Sequence, residues 1–220
     1  MRSTLMRFGL PALVTLVAGG AGYGGWATVT VEDLPEYVVA GEPTTLTFSV
    51  RQHGREPLDG LAAGIAAQAG HRELRAAAAA RGRGRYSATF TLPEAGEWTI
   101  TVKSGFGSSA TQLLPIPAIA PGVQPPRPLT PTERGRRLFV AKACATCHLH
   151  RDIEGSGTVA VGPELTGRRF GADYLARFLA DPSGVRPRPP GAAGMPNLNL
   201  KKPEIAALVA FLDGERQALR

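Results

Sequence analysis

The stretch LFVAKACATCHLHRD, residues 138–152, holds the only two cysteines of the chain, Cys144 and Cys147, with His148 directly after the second. Two thiols three positions apart admit four readings: a disulfide, half of a zinc site, a redox dithiol, or the anchor of a porphyrin. A zinc site needs two further ligands with a second short spacing, and the other histidines (His53, His71, His150) supply no such pair. A thioredoxin-like dithiol opens a helix that follows a strand, whereas this pair follows a helical pattern. A plain disulfide remains the competing reading. Cys-x-x-Cys-His is the attachment signature of c-type haem. Two thiols add to the two vinyl groups on one porphyrin edge, and the next residue aims its imidazole at the iron. Cys144 and Cys147 are therefore the expected covalent anchors of one haem c, and His148 the proximal iron ligand.

The N-terminus bears on the redox compartment. Arg2 and Arg7 precede an apolar run from Phe8 to Ala21, followed by small residues. This is the layout of an export signal over residues 1–22, and the run is short of the ~20 residues of a comfortable membrane span. Left uncleaved, it would be a short membrane anchor. The expected location is periplasmic or otherwise extracytoplasmic. Of the formal charge of +7, residues 129–220 carry +5, with 14 Lys/Arg against 9 Asp/Glu, and residues 23–128 are balanced at 9 against 9. A basic C-terminal part suits partners with an acidic face. Export sets a nucleic-acid partner aside.

Residues 26–116 alternate like strands: WATVTV (26–31), TTLTFSVR (44–51), RYSATFTL (85–92), EWTITVKS (97–104) and TQLLPI (111–116). Gly- and Pro-bearing turns separate them, which predicts an antiparallel all-β sandwich over residues 23–114. The alanine-rich GLAAGIAAQAGHRELRAAAAARG favours helix on propensity. Its interrupting glycines and strand-like neighbours predict one or two poor strands instead. Residues 115–131 then place seven prolines in seventeen positions. The expectation is a semi-rigid spacer over 115–129, spanning roughly 50 Å as polyproline, through which neither helix nor sheet runs.

From residue 130 the period becomes helical. Thr130-Pro131-Thr132-Glu133 is a capping start, and the helix that follows is expected to run into the Cys144 stretch. GADYLARFLADPSG predicts a second helix closed by Asp181-Pro182, and KPEIAALVAFLDGE a third with Ile205, Leu208, Val209 and Leu212 on one stripe. Three helices with long irregular loops do not close a core alone, so a large apolar cofactor is expected to fill the middle. Met195, in the glycine-rich loop GAAGMPNLNL, is the one methionine beyond Met1 and Met6. It is the expected sixth ligand; His150, two residues from His148, is held on the proximal side. In VGPELTG (161–167), the Pro163 carbonyl is the expected acceptor for the second ring nitrogen of His148, with Leu165 packed on the haem.

Gly135 and Phe139, the Cys144–His148 motif, Gly162-Pro163-Glu164-Leu165, Met195-Pro196 and the EIAALVAFL helix together resemble a class I cytochrome c across residues 130–220. The resemblance implies an all-α cytochrome c fold around the haem. It also implies that the first and last helices cross closely, at Gly135, Phe139 and Phe211. Arg168, Arg169 and Tyr174 are the implied partners of the haem propionates. The proline-rich PSGVRPRPPGAAG before Met195 departs from the family pattern. The front unit resembles, more distantly, the immunoglobulin-like sandwiches attached to exported redox and metal-handling proteins. Some of those bind copper, for which His53 and His71 make a thin case. The functional expectation is a single-electron carrier, not an enzyme, that meets redox partner proteins at the haem edge. Two alternatives are a fixed subunit of a membrane respiratory or photosynthetic complex, docked by the β-domain while the haem unit swings on its proline arm, and a haem enzyme or gas sensor with an open sixth site.

Overall fold

The computed structural model describes residues 25–189, 192 and 194–214. The expected export segment lies outside them. Among the described residues no helix is long and apolar enough to cross a membrane.

The front unit is built from β1 (Ala27–Val31), β2 (Val38–Val39), β3 (Pro43–Gln52), β4 (Glu56–Pro57), β5 (Gly64–Ala69), β6 (Arg72–Ala77), β7 (Ala79–Gly82), β8 (Arg85–Thr91), β9 (Gly96–Lys103), β10 (Ala110–Gln112) and β11 (Ile116–Ile119). One sheet runs β1-β3-β8-β7, with β4 also on β3; the other runs β2-β11-β9-β5-β6, with β10 also on β9. Among the described strands only the β11–β2 pair is parallel. The period-two pattern decides which side chains meet between the sheets. Val29, Val31, Leu46, Phe48 and Val50 come from one sheet and Ile65, Trp98, Ile100 and Val102 from the other, all buried in one core. Register puts Phe48 opposite Tyr86, and their rings stack at 5.9 Å. The buried Tyr86 hydroxyl donates to the Leu58 carbonyl at 2.7 Å and accepts from the Leu61 amide at 3.2 Å, so its polar end is satisfied.

Two expectations need correction here. The alanine-rich stretch makes three strands, not one or two: β5 and β6 fold back at Gly70, and β7 crosses to the other sheet. Pairing on both sides of β5, by β6 and β9, outweighs alanine's helix preference. The proline-rich stretch is not free of sheet either, because β11 lies inside it. Pro117 is tolerated since a strand position whose amide faces away from a partner loses nothing, and the neighbouring β2 pairs only with Ala118 and Ile119.

The helical unit comprises α1 (Pro131–Ala141), α2 (Cys144–Cys147), α3 (Ala172–Ala180), α4 (Pro182–Val185) and α5 (Lys202–Gly214). α1 opens on the capping box read from sequence. The Thr130 hydroxyl accepts from the Glu133 amide at 3.2 Å, and the Glu133 carboxylate accepts from the Thr130 amide at 2.8 Å. α3 stops at Asp181, whose side chain then caps α4 through the Gly184 amide at 3.0 Å. α1 and α5 cross in contact at Gly135, where a Cβ would run into the Ala207 carbonyl. Phe139 and Phe211 meet edge-on beside that crossing at 5.7 Å.

The two units dock against each other. Lys142, at the end of α1, is 6% exposed. Its ammonium donates to the Glu32 carbonyl of the sandwich at 2.7 Å and pairs with Glu204 of α5 at 2.7 Å. Arg134 pairs with Glu36, Lys201 with Asp33 at 2.5 Å, and the Leu129 amide donates to Glu36 at 3.3 Å. Ala141 of α1 belongs to the sandwich core, and Leu114 packs on the helical one. A cleft of about 200 Å³ runs along this boundary between the β1–β2 loop and α1.

Candidate functional site

α1 does not run straight into the cysteine stretch as expected. It ends with the Lys142 amide on the Leu138 carbonyl and the Ala143 amide on the Val140 carbonyl, and Ala143 turns left-handed at φ 61°. The chain is thereby re-aimed into the single turn of α2. That turn closes with the His148 amide on the Cys144 carbonyl at 2.9 Å. Residues three apart on a helical turn share a side, so Cys144 and Cys147 are presented together and His148 follows at once. The following loop lies along this turn. The amides of Gly157, Val159 and Gly162 donate to the carbonyls of Ala145 (2.6 Å), Thr146 (3.0 Å) and Cys147 (3.0 Å), and Leu165 donates to Leu149 (2.9 Å).

His148 Nδ1 lies 2.8 Å from the Pro163 carbonyl oxygen, the acceptor read from the sequence. A carbonyl only accepts, so Nδ1 carries the proton and Nε2 keeps its lone pair. Burial pushes the ring's pKa down, opposed by the Pro163 bond, which favours the neutral imidazole a metal requires. Gly162 backs the ring: a Cβ there would run into Cε1 and lie 2.6 Å from Nδ1. Its place in the Gly-Pro pair was visible in the sequence; its part in seating the ring was not.

The cysteines are not bonded to each other. Burial, with Cys147 adding to it, pushes the Cys144 thiol up to about 12, and burial raises Cys147 too. A redox dithiol works by a lowered thiol pKa, so this environment speaks against that chemistry. It suits two thiols that end as neutral thioethers.

Around these groups the helical unit leaves apolar side chains half-covered. Ala145, Leu165, Phe170, Met195, Leu198 and Leu200 are partly buried against the cluster that holds Cys144, Leu175 and Leu179. The donor chemistry (two thiols, a neutral imidazole, a thioether) and this unfinished apolar wall fit a covalent haem. Met195 thus shares a cluster with Cys144 and Leu165. His150 goes elsewhere: 3% exposed, its ring stands 4.6 Å from Phe211 and 5.6 Å from Phe139 at the α1–α5 crossing. Arg168 and Arg169 are exposed, with Arg168 Nε donating to the Glu164 carbonyl. Tyr174 is 39% exposed and stacks on Phe178 at 5.9 Å. His53 rests edge-on against Trp26 at 5.3 Å. Lys142 and Glu204 were missed by sequence reading, since nothing in a helix pattern marks a lysine that will be buried.

The family model for cytochrome c matches residues 132–214. Those residues are a cytochrome c domain. The match makes the helical unit a haem-binding electron-transfer domain, with haem c joined covalently, carried behind an all-β unit. Among solved structures, the chain is similar to the Lin-41 filamin domain at 10% identity and a TM-score of 0.35, covering 43% of this chain and 90% of that one. It is also similar to the superoxide reductase (neelaredoxin) from Ignicoccus hospitalis, at 20% identity and a TM-score of 0.29, covering 41% of this chain and 79% of that one. No curated protein matches the chain. The cytochrome c domain spans α1 to α5, so the docked sandwich is a separate unit abutting it through Glu32, Asp33 and Glu36.

Proposed function

We infer that the protein is an exported carrier of single electrons, with one haem c held by Cys144 and Cys147 and the iron ligated by His148 and Met195. The observations that carry this reading are a Pro163-anchored His148 directly after Cys147 and a methionine, Met195, packed on the apolar cluster that holds Cys144. When bound, the haem would supply a one-electron iron couple, and ligation by a thioether and an imidazole would favour the ferrous state. The Pro163 bond and Gly162 fix the ring's tautomer and rotation, while Leu165, Leu198 and Leu200 keep water from the ligands. Arg168, Arg169 and Tyr174 are proposed to meet the propionates. A carrier of this kind does no bond chemistry at the iron, and the protein is read as a carrier, not an enzyme. Its basic C-terminal part, +5 over residues 129–220, suits a redox partner with an acidic face, and that association would weaken as salt rises. The location is proposed as extracytoplasmic on the strength of residues 1–22.

Absorption spectra of the exported protein, oxidised and reduced, with and without carbon monoxide, test the reading. Sharp low-spin bands unmoved by carbon monoxide are expected. A band shift on adding it would mean an open or labile sixth position, and the enzyme or sensor reading would replace the carrier.

A further inference from the structure

The turn between β3 and β4 reaches the methionine loop of the other unit. Gln52 pairs with Glu56, so three residues, His53-Gly54-Arg55, join β3 to β4, with His53 at φ 50° and Gly54 at φ 74° and the Arg55 amide on the Gln52 carbonyl at 2.9 Å. The turn is braced from behind. The His53 amide donates to the Trp26 carbonyl at 3.1 Å, and the two rings pack edge-on.

This braced turn touches the residues on either side of Met195. Arg55 Nη2 donates to the Gly194 carbonyl at 3.3 Å. Gly54 lies flat on Pro196, where a Cβ would stand 2.9 Å from the ring's Cγ. Gly194 and Pro196 therefore face the sandwich, while the Met195 side chain packs into the helical cluster. The far end of the loop is tied to the sandwich by Lys201 on Asp33 at 2.5 Å, and its middle to α3 by Asn197 Nδ2 on the Ala180 carbonyl at 3.3 Å. Met195, Leu198 and Leu200 pack on the helical cluster, while the glycine beside Met195 has no side chain, and the proline no amide, to hold the backbone there. That part is held by the neighbouring unit.

We propose that the β3–β4 turn of the sandwich positions Met195, keeping its thioether at the iron against competing ligands. Arg55 and Gly54 are the positioning residues, and the β-sandwich is thereby part of the haem site's control and not a spacer. This rests on the reading of Met195 as the sixth ligand.

The test uses the full-length holoprotein and imidazole as the competing ligand. Arg55→Ala is expected to raise imidazole affinity about fivefold, the effect of one hydrogen bond lost, and Arg55→Lys to recover part of it. Gly54→Ala, which must push Pro196, is expected to do more. Both alanine variants should speed amide exchange over residues 194–200. Arg72→Ala, which breaks an exposed pair with Glu94 on the far sheet, should change neither. Unchanged imidazole affinity and unchanged loop exchange in both alanine variants, with Met195→Ala still altering the spectrum, would overturn the positioning role alone. A Met195→Ala spectrum identical to wild type would overturn the ligation reading and this proposal with it.

Discussion

The two units solve the same problem, closing an apolar core, in opposite ways. In the sandwich, Trp98, Tyr86, Phe48, Leu46 and Ile100 are all sealed from solvent, and both sheets contribute to one continuous core. Among the described residues of the helical unit, the large side chains sealed to that degree are Phe139, at the α1–α5 crossing, and Leu208 of α5. Away from that crossing, Leu165, Phe170, Met195, Leu198 and Leu200 stay only partly covered. The sandwich is finished by its own side chains. The cytochrome c domain has one finished seam and a partly covered apolar wall, the one the proposed haem would complete. The difference teaches where each unit's stability resides, and the predictions below press on it.

The largest effect should come from removing the haem anchors. In Cys144→Ala/Cys147→Ala, amide protection over residues 131–214 is expected to collapse while that over 27–119 survives; hydrogen exchange read by segment checks this. Equal loss in both units would break the comparison. Next is Lys142, which pairs with Glu204 inside the helical unit and bonds the Glu32 carbonyl across the boundary. Lys142→Ala leaves the largely covered Glu204 with the Lys201 amide alone, and the expected cost is at most about 3 kcal/mol, the low end for breaking a fully buried pair. Thermal or denaturant unfolding of the holoprotein reads it, and Lys142→Met/Glu204→Leu is expected to recover most of the loss. Third is the finished seam: Gly135→Ala sets a methyl against the Ala207 carbonyl, and overpacking of this kind costs about 1–3 kcal/mol. The fall in melting temperature should track the helical unit, with the sandwich unmoved.

The smallest effect concerns pH at the boundary. The Lys201 hydrogen bond holds the Asp33 carboxyl below its ordinary value, and the same contact raises Lys201. A depressed carboxylate contributes stability that is present above its unfolded pKa, about 4, and lost as pH falls through the lower folded value. The raised lysine contributes below its unfolded pKa, about 10, and loses that contribution as pH climbs past the folded one. Wild type is therefore expected to lose slightly more melting temperature than Asp33→Asn on going from pH 7 to pH 3, a small difference for an exposed pair.

Much of this was legible because it is local. Strand alternation in TTLTFSVR and EWTITVKS, the Thr130–Glu133 box and the Cys-x-x-Cys-His spacing each fix their structure within a few residues. The Pro163 carbonyl as the acceptor for His148 was also readable, through the chemistry a ligating histidine requires. What sequence hid is set by contacts distant along the chain. Lys142 looks like any helix lysine until Glu32 and Glu204 close over it. Pro117 looks like a strand breaker until its neighbours Ile116 and Ala118 find β9. His53 drew notice only as a thin copper case and Arg55 drew none, because no pattern announces that a hairpin turn will reach a loop some 140 residues onward, at Gly194.

The central claim is that Cys144, Cys147 and His148 serve one covalent haem. It is tested most directly by the intact mass of the exported protein beside that of Cys144→Ser/Cys147→Ser, both under denaturing conditions. The account predicts the wild-type chain plus the mass of one haem, and the variant as bare chain. A wild-type mass equal to the bare chain, or two hydrogens lighter as a disulfide would make it, would contradict it.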